Sequence, residues 1–185
     1  MQIALLSDIH DNVWNLAAAL RDLHSADAMI CCGDLCSPFV VGQLAEAFSG
    51  PIHIVFGNND GDLYRITRIA ASHPHVNLHG ELFQAELGGL RISANHYPDI
   101  AGAIAHAGGW DVVCYGHNHV YQIDVVGDCL YINPGTLMGY NPITRQDVPA
   151  TFVIFDTHLK ATQGYHVTNP ARIDQGISKV SHYPK

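Results

Sequence analysis

Residues 3–11 read Ile3-Ala4-Leu5-Leu6-Ser7-Asp8-Ile9-His10-Asp11, a short apolar run that ends in a carboxylate and an imidazole. Residues 3–7 have the length and composition of a strand buried on both faces. Asp8 and His10 are two apart where that strand ends. They are expected to project from one side of extended backbone, into the crevice above the sheet. Alone the triplet says little, because such pairs arise by chance. Its meaning depends on whether other strand ends carry complementary chemistry.

Outward from this stretch the pattern alternates. Val13, Leu16, Ala17, Leu20 and Leu23 form an apolar stripe at helical spacing, with Asn12 as the N-cap. Residues 28–32 read as a second buried strand, and Val40, Val41, Leu44, Ala45 and Phe48 as the inner face of a second helix, ended by Gly50-Pro51. Residues 52–56 form a third strand, and Leu63, Ile66, Ile69 and Ala70 mark a short third helix. The period then changes to two. Residues 82–87 and 90–93, joined by Gly88-Gly89, read as an antiparallel hairpin. A fourth helix carries Ile100, Ala103, Ile104 and Ala107 and stops at Gly108-Gly109.

Residues 112–115 are another buried strand, followed by hairpins at 121–126 with 129–133 and at 151–156 with 161–167. Residues 136–149 are expected to form a surface loop, and the tail after Asn169 to be loosely held. This order predicts an α/β fold, with a helix-covered sheet packed on a second, more antiparallel one. No internal repeat or linker divides residues 1–185, which are expected to form a single domain.

Composition excludes some functions. The 185 residues hold 9 basic and 17 acidic side chains, a net charge of −8, which argues against a nucleic-acid polymer as partner. No apolar run approaches the ~20 residues of a membrane span, and the N-terminus lacks a signal-peptide pattern, so no membrane and a cytoplasmic setting are expected. Thirteen histidines is a high count for this length. Cys31, Cys32, Cys36, Cys114 and Cys129 read as four small buried hydrophobes and one loop thiol; a zinc pair at Cys32 and Cys36 would lack partners.

Ligands of open α/β sheets bind outside the carboxyl ends of the strands. There the sequence places Asp8 and His10, then Gly33-Asp34, Gly57-Asn58-Asn59-Asp60, Asn95-His96, and Gly116-His117-Asn118-His119. Singly, Gly33-Asp34 and the Gly57 segment read as ordinary turns, and His96 before Tyr97-Pro98 as the start of a loop. Two imidazoles two apart after a glycine seldom serve packing, and five strands each ending in a metal-binding side chain are hard to explain as turns. Oxygen and imidazole donors without thiolate suit manganese, iron, zinc or nickel. Asp34 has the chemistry to bridge two cations and Asn58 can add a neutral oxygen. Two metals roughly 3.5–4 Å apart can hold a hydroxide nucleophile between them and clamp a phosphoryl group.

The order of these motifs resembles the calcineurin-like metallophosphoesterases. The short length and Asn133-Pro134-Gly135-Thr136 resemble the small bacterial and archaeal phosphodiesterase branch, which also includes retromer-type scaffold proteins. The resemblance covers roughly residues 1–167. It implies a four-layer αββα sandwich of two mixed β-sheets flanked by helices. It also implies two divalent metal ions, manganese foremost with iron, zinc or nickel as alternatives. It places Asp8, His10, Asp34 and His119 on one metal, and Asp34, Asn58, His96 and His117 on the other.

Two departures stand out. Many family enzymes carry a histidine, proposed to protonate the leaving group, where this chain has Asn59, which has no useful acid pKa. Asp60 or Asp11 is then expected to help, so Asp34, Asn58 and Asp60 are assigned to the reaction. Small members read Thr-His-Gly-His where this chain has Ser93-Ala94-Asn95-His96, so gapless matching puts Ala94 at the ligand position; His96 is nevertheless assigned as the ligand.

The expected function is a dinuclear metal-dependent phosphodiesterase on small phosphodiesters or nucleotides, with a metal-bridging hydroxide as nucleophile. Its activity should fall at acidic pH as the histidine ligands protonate. The alternative is a metal-binding interaction scaffold of the retromer-subunit type. An H-x-H amidohydrolase would need a (β/α)₈ barrel of about 250 residues. A homodimer is a further expectation, resting only on edge strands.

Overall fold

A computed structural model describes residues 1–23 and 25–167 of the chain. The expectation for the tail after Asn169 lies outside the described residues.

Strand β1 (Gln2–Leu6) lies in the middle of the first sheet, with β2 (Ala28–Cys31) parallel on one side and β12 (Thr151–Asp156) antiparallel on the other. Outward on one side come β3 (Ile52–Ile54) and β4 (Val76–Leu78), and on the other β13 (Ala161–His166). The strand order is β13-β12-β1-β2-β3-β4. The second sheet comprises β5 (Leu82–Leu87), β6 (Leu90–Asn95), β7 (Val112–Cys114), β8 (Tyr121–Val126) and β9 (Cys129–Pro134), in the order β5-β6-β7-β9-β8. Strands β6, β7 and β9 are parallel, with antiparallel β5 and β8 at the edges. Both sheets are therefore mixed.

The side-chain period of a strand explains why β1 is continuously apolar. Ala4 and Leu6 face a core shared with helices α1 (Val13–Asp22), α2 (Pro38–Ala47) and α3 (Leu63–Ala71). Ile3 and Leu5 face the second sheet, packing with Ile30, Phe83, Ile92, Ala94, Cys114, Ile132 and Phe155. In β7, Val112 and Cys114 point into this same inter-sheet layer, whereas Val113 meets α4 (Pro98–Ala107). The layers are thus helix, sheet, sheet, helix, a mixed α/β sandwich. Burying each large apolar side chain contributes roughly 1.5–3 kcal/mol relative to leaving it in water.

Local signals worked where they were strong. Asn12 caps α1, its side-chain oxygen accepting from Asn15 N at 3.1 Å. Pro38 opens α2, and Gly108, at φ 77°, ends α4. Two expectations need correction, and one strand was not anticipated. Helix α4 buries Ala101 and Ala105, while Ile100 is exposed, because small residues face the stacked Tyr115 and Tyr131 rings of the sheet below. Strand β4 is three residues long, too short to show a period. Residues 136–149 carry a small hairpin, β10 (Tyr140–Asn141) with β11 (Gln146–Asp147), instead of irregular loop. No helix among the described residues is long and apolar enough to cross a membrane.

Candidate metal centre

The first strand does not deliver Asp8 and His10 on extended backbone. The strand ends at Leu6, and both residues turn into the left-handed region, with φ of 52° and 44°. Asp34, His117 and His119 do the same, at 56°, 73° and 58°. A non-glycine residue there costs of order 1 kcal/mol and persists only where its surroundings over-determine it. Here backbone bonds do so: Asp8 N donates to Gly33 O (3.1 Å), Ile9 N and His10 N to Asp34 O (2.9 and 3.0 Å), and Met138 N to Asp8 O (2.9 Å). His117 N in turn donates to Asp8 Oδ2 at 3.0 Å.

These turns bring the strand-end side chains together. His10 Nε2 lies 3.3 Å from Asp34 Oδ2 and 3.8 Å from Asp8 Oδ1. His119 Nε2 is 3.3 Å from Asp8 Oδ1, and His96 Nε2 is 3.4 Å from Asp34 Oδ2. Asn58 Oδ1 sits between His96 Nε2 (3.1 Å) and His117 Nδ1 (2.9 Å). Two groups of potential ligand atoms, Asp8–His10–His119 and Asp8–Asp34–His96, each lie within 4.8 Å of one another. Asp8, Asp34, His96 and His119 are buried; Asn58 and His117 are exposed at the rim. Ala94 points into the inter-sheet layer, two residues before His96. The shifted position is therefore the one at the crevice.

The outer ring nitrogens fix the imidazoles. His96 Nδ1 donates to Cys32 O at 2.7 Å and His119 Nδ1 to Tyr140 O at 2.6 Å, which leaves both Nε2 lone pairs facing the carboxylates. His10 Nδ1 lies 3.5 Å from Cys36 Sγ. His10 Nε2 is buried without an aligned hydrogen-bond partner among the described residues. Such an orphaned atom, facing two buried carboxylates, is what a cation site looks like before the cation is considered.

Electrostatics agree. Burial opposes charge on Asp34, yet His10 and His96 outweigh it and hold the carboxyl well below its usual range. Burial likewise opposes charge on Asp8, but His10 and His119 keep it lowered. Burial alone would depress His10, but Asp34 and Asp8 push it up to about 11; His96 is raised against its burial by the same two carboxylates. The carboxylates thus recruit protons where divalent cations would serve as well, and the all-oxygen-and-nitrogen donor set fits manganese, iron, zinc or nickel.

Asp60 departs from expectation. Both of its oxygens are taken by backbone N–H groups, those of Asp34 (3.1 Å) and Gly57 (2.7 Å) on one, those of Leu35 (2.7 Å) and Cys36 (3.0 Å) on the other. It holds two turns together instead of offering a proton. Asp11 is similarly engaged by Ser37 N (2.9 Å) and Oγ (2.6 Å).

Sequence reasoning missed Asn59 as a partner of Asp34. Its N and Nδ2 both donate to the Asp34 carboxylate at 2.8 Å. It also read the motif glycines only as strand-end markers. A Cβ at Gly57 would strike Asp34 Oδ1 and lie 2.8 Å from His96, and one at Gly116 would lie 2.6 Å from Asp8 Oδ2. No hydrophobicity pattern signals such close approaches.

Cavities of about 350 and 640 Å³ lie elsewhere, beneath the C-terminal end of α4 and between α2 and α3, and no residue of the centre lines them. Chemistry, not hollowness, distinguishes the strand-end cluster.

Comparison with known proteins bears on this cluster. The family model of the calcineurin-like phosphoesterase superfamily domain matches residues 1–160. Phosphodiesterase MJ0936 of Methanocaldococcus jannaschii is 31% identical over 164 residues, spanning 86% of this chain and 95% of the relative. Among solved structures, a novel archaeal phosphodiesterase is similar with a TM-score of 0.80 and 27% identity, over 90% of this chain and 99% of the other. Vps29 of Chaetomium thermophilum, at a TM-score of 0.65 and 19% identity over 91% and 99%, shares the fold.

Proposed function

The chain belongs to the calcineurin-like phosphoesterase superfamily, and on that premise we propose that it is a two-metal phosphodiesterase acting on small phosphodiesters. It is a phosphoesterase by family, and the similarity to an archaeal phosphodiesterase over nearly the whole of both chains supports the diester preference. The observation that carries the reading is the buried His10 Nε2, unpartnered between Asp8 and Asp34.

Asp8, His10, Asp34 and His119 would hold one cation, and Asp34, Asn58, His96 and His117 the other, manganese being the first choice. Bound there, two divalent cations would supply an activated water and positive charge opposite the phosphoryl oxygens. Asp34 reaches both His10 and His96 with one oxygen, which suits it to be shared. Asn59 and Asp60 fix its orientation, through its carboxylate and its backbone N–H respectively. Asn58 and His117, exposed at the rim, stand where a substrate enters. With 9 basic residues against 17 acidic, the surface suits small substrates better than polyanions, and five free cysteines suit a reducing, cytoplasmic setting.

The second reading is a metal-binding interaction scaffold. Asn59, which cannot protonate a leaving group, favours it. Hydrolysis of bis(p-nitrophenyl) phosphate separates the two. A phosphodiesterase turns it over with manganese, loses that activity on chelation and regains it on reloading. A fully metal-loaded protein without turnover would leave only the scaffold.

A further inference from the structure

The residues grouped around His10 come from both sheets. Asp8, His10 and Asp34 follow β1 and β2 of the first sheet, whereas His119 follows β7 of the second. Neither sheet alone can fix the separation of the two sets. The segment Asn133-Pro134-Gly135-Thr136, where β9 ends, crosses from one to the other.

On the side of the second sheet, the fully buried Asn133 holds the histidine loop. Its Nδ2 donates to Gly116 O (3.2 Å) and to Asn118 Oδ1 (2.8 Å), on either side of His117, and its Oδ1 accepts from Gly135 N (2.9 Å). Gly135 stands at φ 80°, and a Cβ there would strike Thr151 Oγ1, so the crossing needs glycine. On the side of the first sheet, Thr136 is fully buried. Its hydroxyl donates to Asp8 O (2.8 Å) and accepts from Met138 N (2.9 Å), and Leu137 N donates to Ser7 O (3.1 Å). Thr151, on β12 beside β1, anchors the segment: its N donates to Thr136 O (3.0 Å) and its Oγ1 to Pro134 O (2.7 Å).

We propose that Thr136 and Asn133 are positioning residues that clasp the strand end carrying Asp8 to the loop carrying His119, and so set the first cation's sphere. The proposal rests on the two-metal reading and adds to it the residues that keep the two halves of that sphere in register. Thr136 acts through the Asp8 carbonyl, and Asn133 through Gly116 and Asn118, the chain neighbours of His117 and His119. Asp8 and His119 sit in left-handed turns, at φ 52° and 58°, which persist only where their surroundings hold them.

The Thr136 hydroxyl separates this role from packing. Thr136→Val keeps the shape and removes the hydroxyl, while Asp8 O retains its bond from Met138 N. Thr136→Ser keeps the hydroxyl and removes a methyl group. A clasp tolerates serine and is harmed by valine; a packing residue ranks them the other way.

The test is manganese binding by the full chain after chelation, read by calorimetry, with bound ions counted by metal analysis and folding checked by circular dichroism. Thr136→Val should fold and bind one of its two ions about 10-fold more weakly, the lower end of what losing a partner behind a metal ligand costs. Thr136→Ser should bind both ions as wild type does. Asn118→Ala, at a half-buried position, removes the acceptor that Asn133 grips. It should weaken manganese binding to a similar extent, and it reads the clasp from its other end whether or not Thr136→Val folds.

Wild-type affinity for both ions in folded Thr136→Val overturns the proposal, and so does wild-type affinity in Asn118→Ala. Equal weakening in Thr136→Ser does the same, since it would make Thr136 a packing residue. Wild type that binds no manganese overturns the two-metal reading itself, a result distinct from two ions bound equally by every variant.

Discussion

Asp34 shows how one residue's surroundings set its chemistry. It is buried, flanked by His10 at 3.3 Å and His96 at 3.4 Å, and held by two N–H groups of Asn59. Without a metal, Asp34 and Asp8 push His10 up to about 11, so it carries a proton at neutral pH, and they raise His96 in the same direction. A cation at His10 Nε2 must displace that proton. Metal binding should therefore release protons at pH 7, and affinity should weaken about tenfold per pH unit for each proton displaced as pH falls. Calorimetry in buffers of different ionisation enthalpy measures this directly; pH-independent affinity without proton release would contradict it. The raised His10 also has a stability consequence in the metal-free protein. Its contribution is complete below the unfolded value of 6.5 and is lost as pH rises toward about 11. Metal-free protein should thus melt lower at pH 9 than at pH 6.5, checked by thermal unfolding after chelation.

At the scale of elements, the centre depends on the turns that follow the strands. Asp60 joins the turn after β2 to the turn after β3 through four N–H bonds. Asp60→Asn replaces one acceptor oxygen by a donor facing N–H groups. It should cost about 2–4 kcal/mol, read by urea unfolding, and lower metal occupancy; unchanged stability and occupancy would show that the turns hold without it. The strands themselves were legible, since apolar runs punctuated by Gly-Asp, Gly-Asn and Gly-His mark where they stop. The convergence of Asp8 with His10 was legible for the wrong geometric reason. Extended alternation does not bring them together; left-handed turns do, and no side-chain period encodes them. The inner face of α4 was misread because Ile100 outweighs alanines in any hydrophobic stripe, whereas the tyrosine-lined sheet accommodates Ala101 and Ala105, with Ile104 packed beside them. Asp60 looked catalytic because a carboxylate in a motif invites that reading, and three of its four backbone partners lie 24 to 26 residues away.

For the whole molecule, two sheets clamp one apolar layer, and the centre sits at its rim, at the carboxyl ends of the parallel strands. The layer and the centre should be separable. Phe155 pairs with Ile3, near the start of β1, and is fully buried between the sheets. Phe155→Ala should destabilise the fold by roughly 3–5 kcal/mol in denaturant titration while leaving metal stoichiometry unchanged. The two-layer architecture was readable from the change of period at residue 82, because a hairpin of period two there interrupts the alternation of strand and helix and antiparallel pairs recur after it. What composition could not supply was the pairing of distant strand ends, which follows from the parallel registers of β1 with β2 and of β6 with β7. The central claim, that these ends assemble a two-metal hydrolytic centre with Asp34 shared, is tested most directly by metal analysis of wild type and Asp34→Asn beside hydrolysis of bis(p-nitrophenyl) phosphate. Wild type should retain two metal ions per chain and turn over the diester, and Asp34→Asn should lose bound metal and at least ~100-fold in rate. A variant that keeps both metals and full activity would contradict the account.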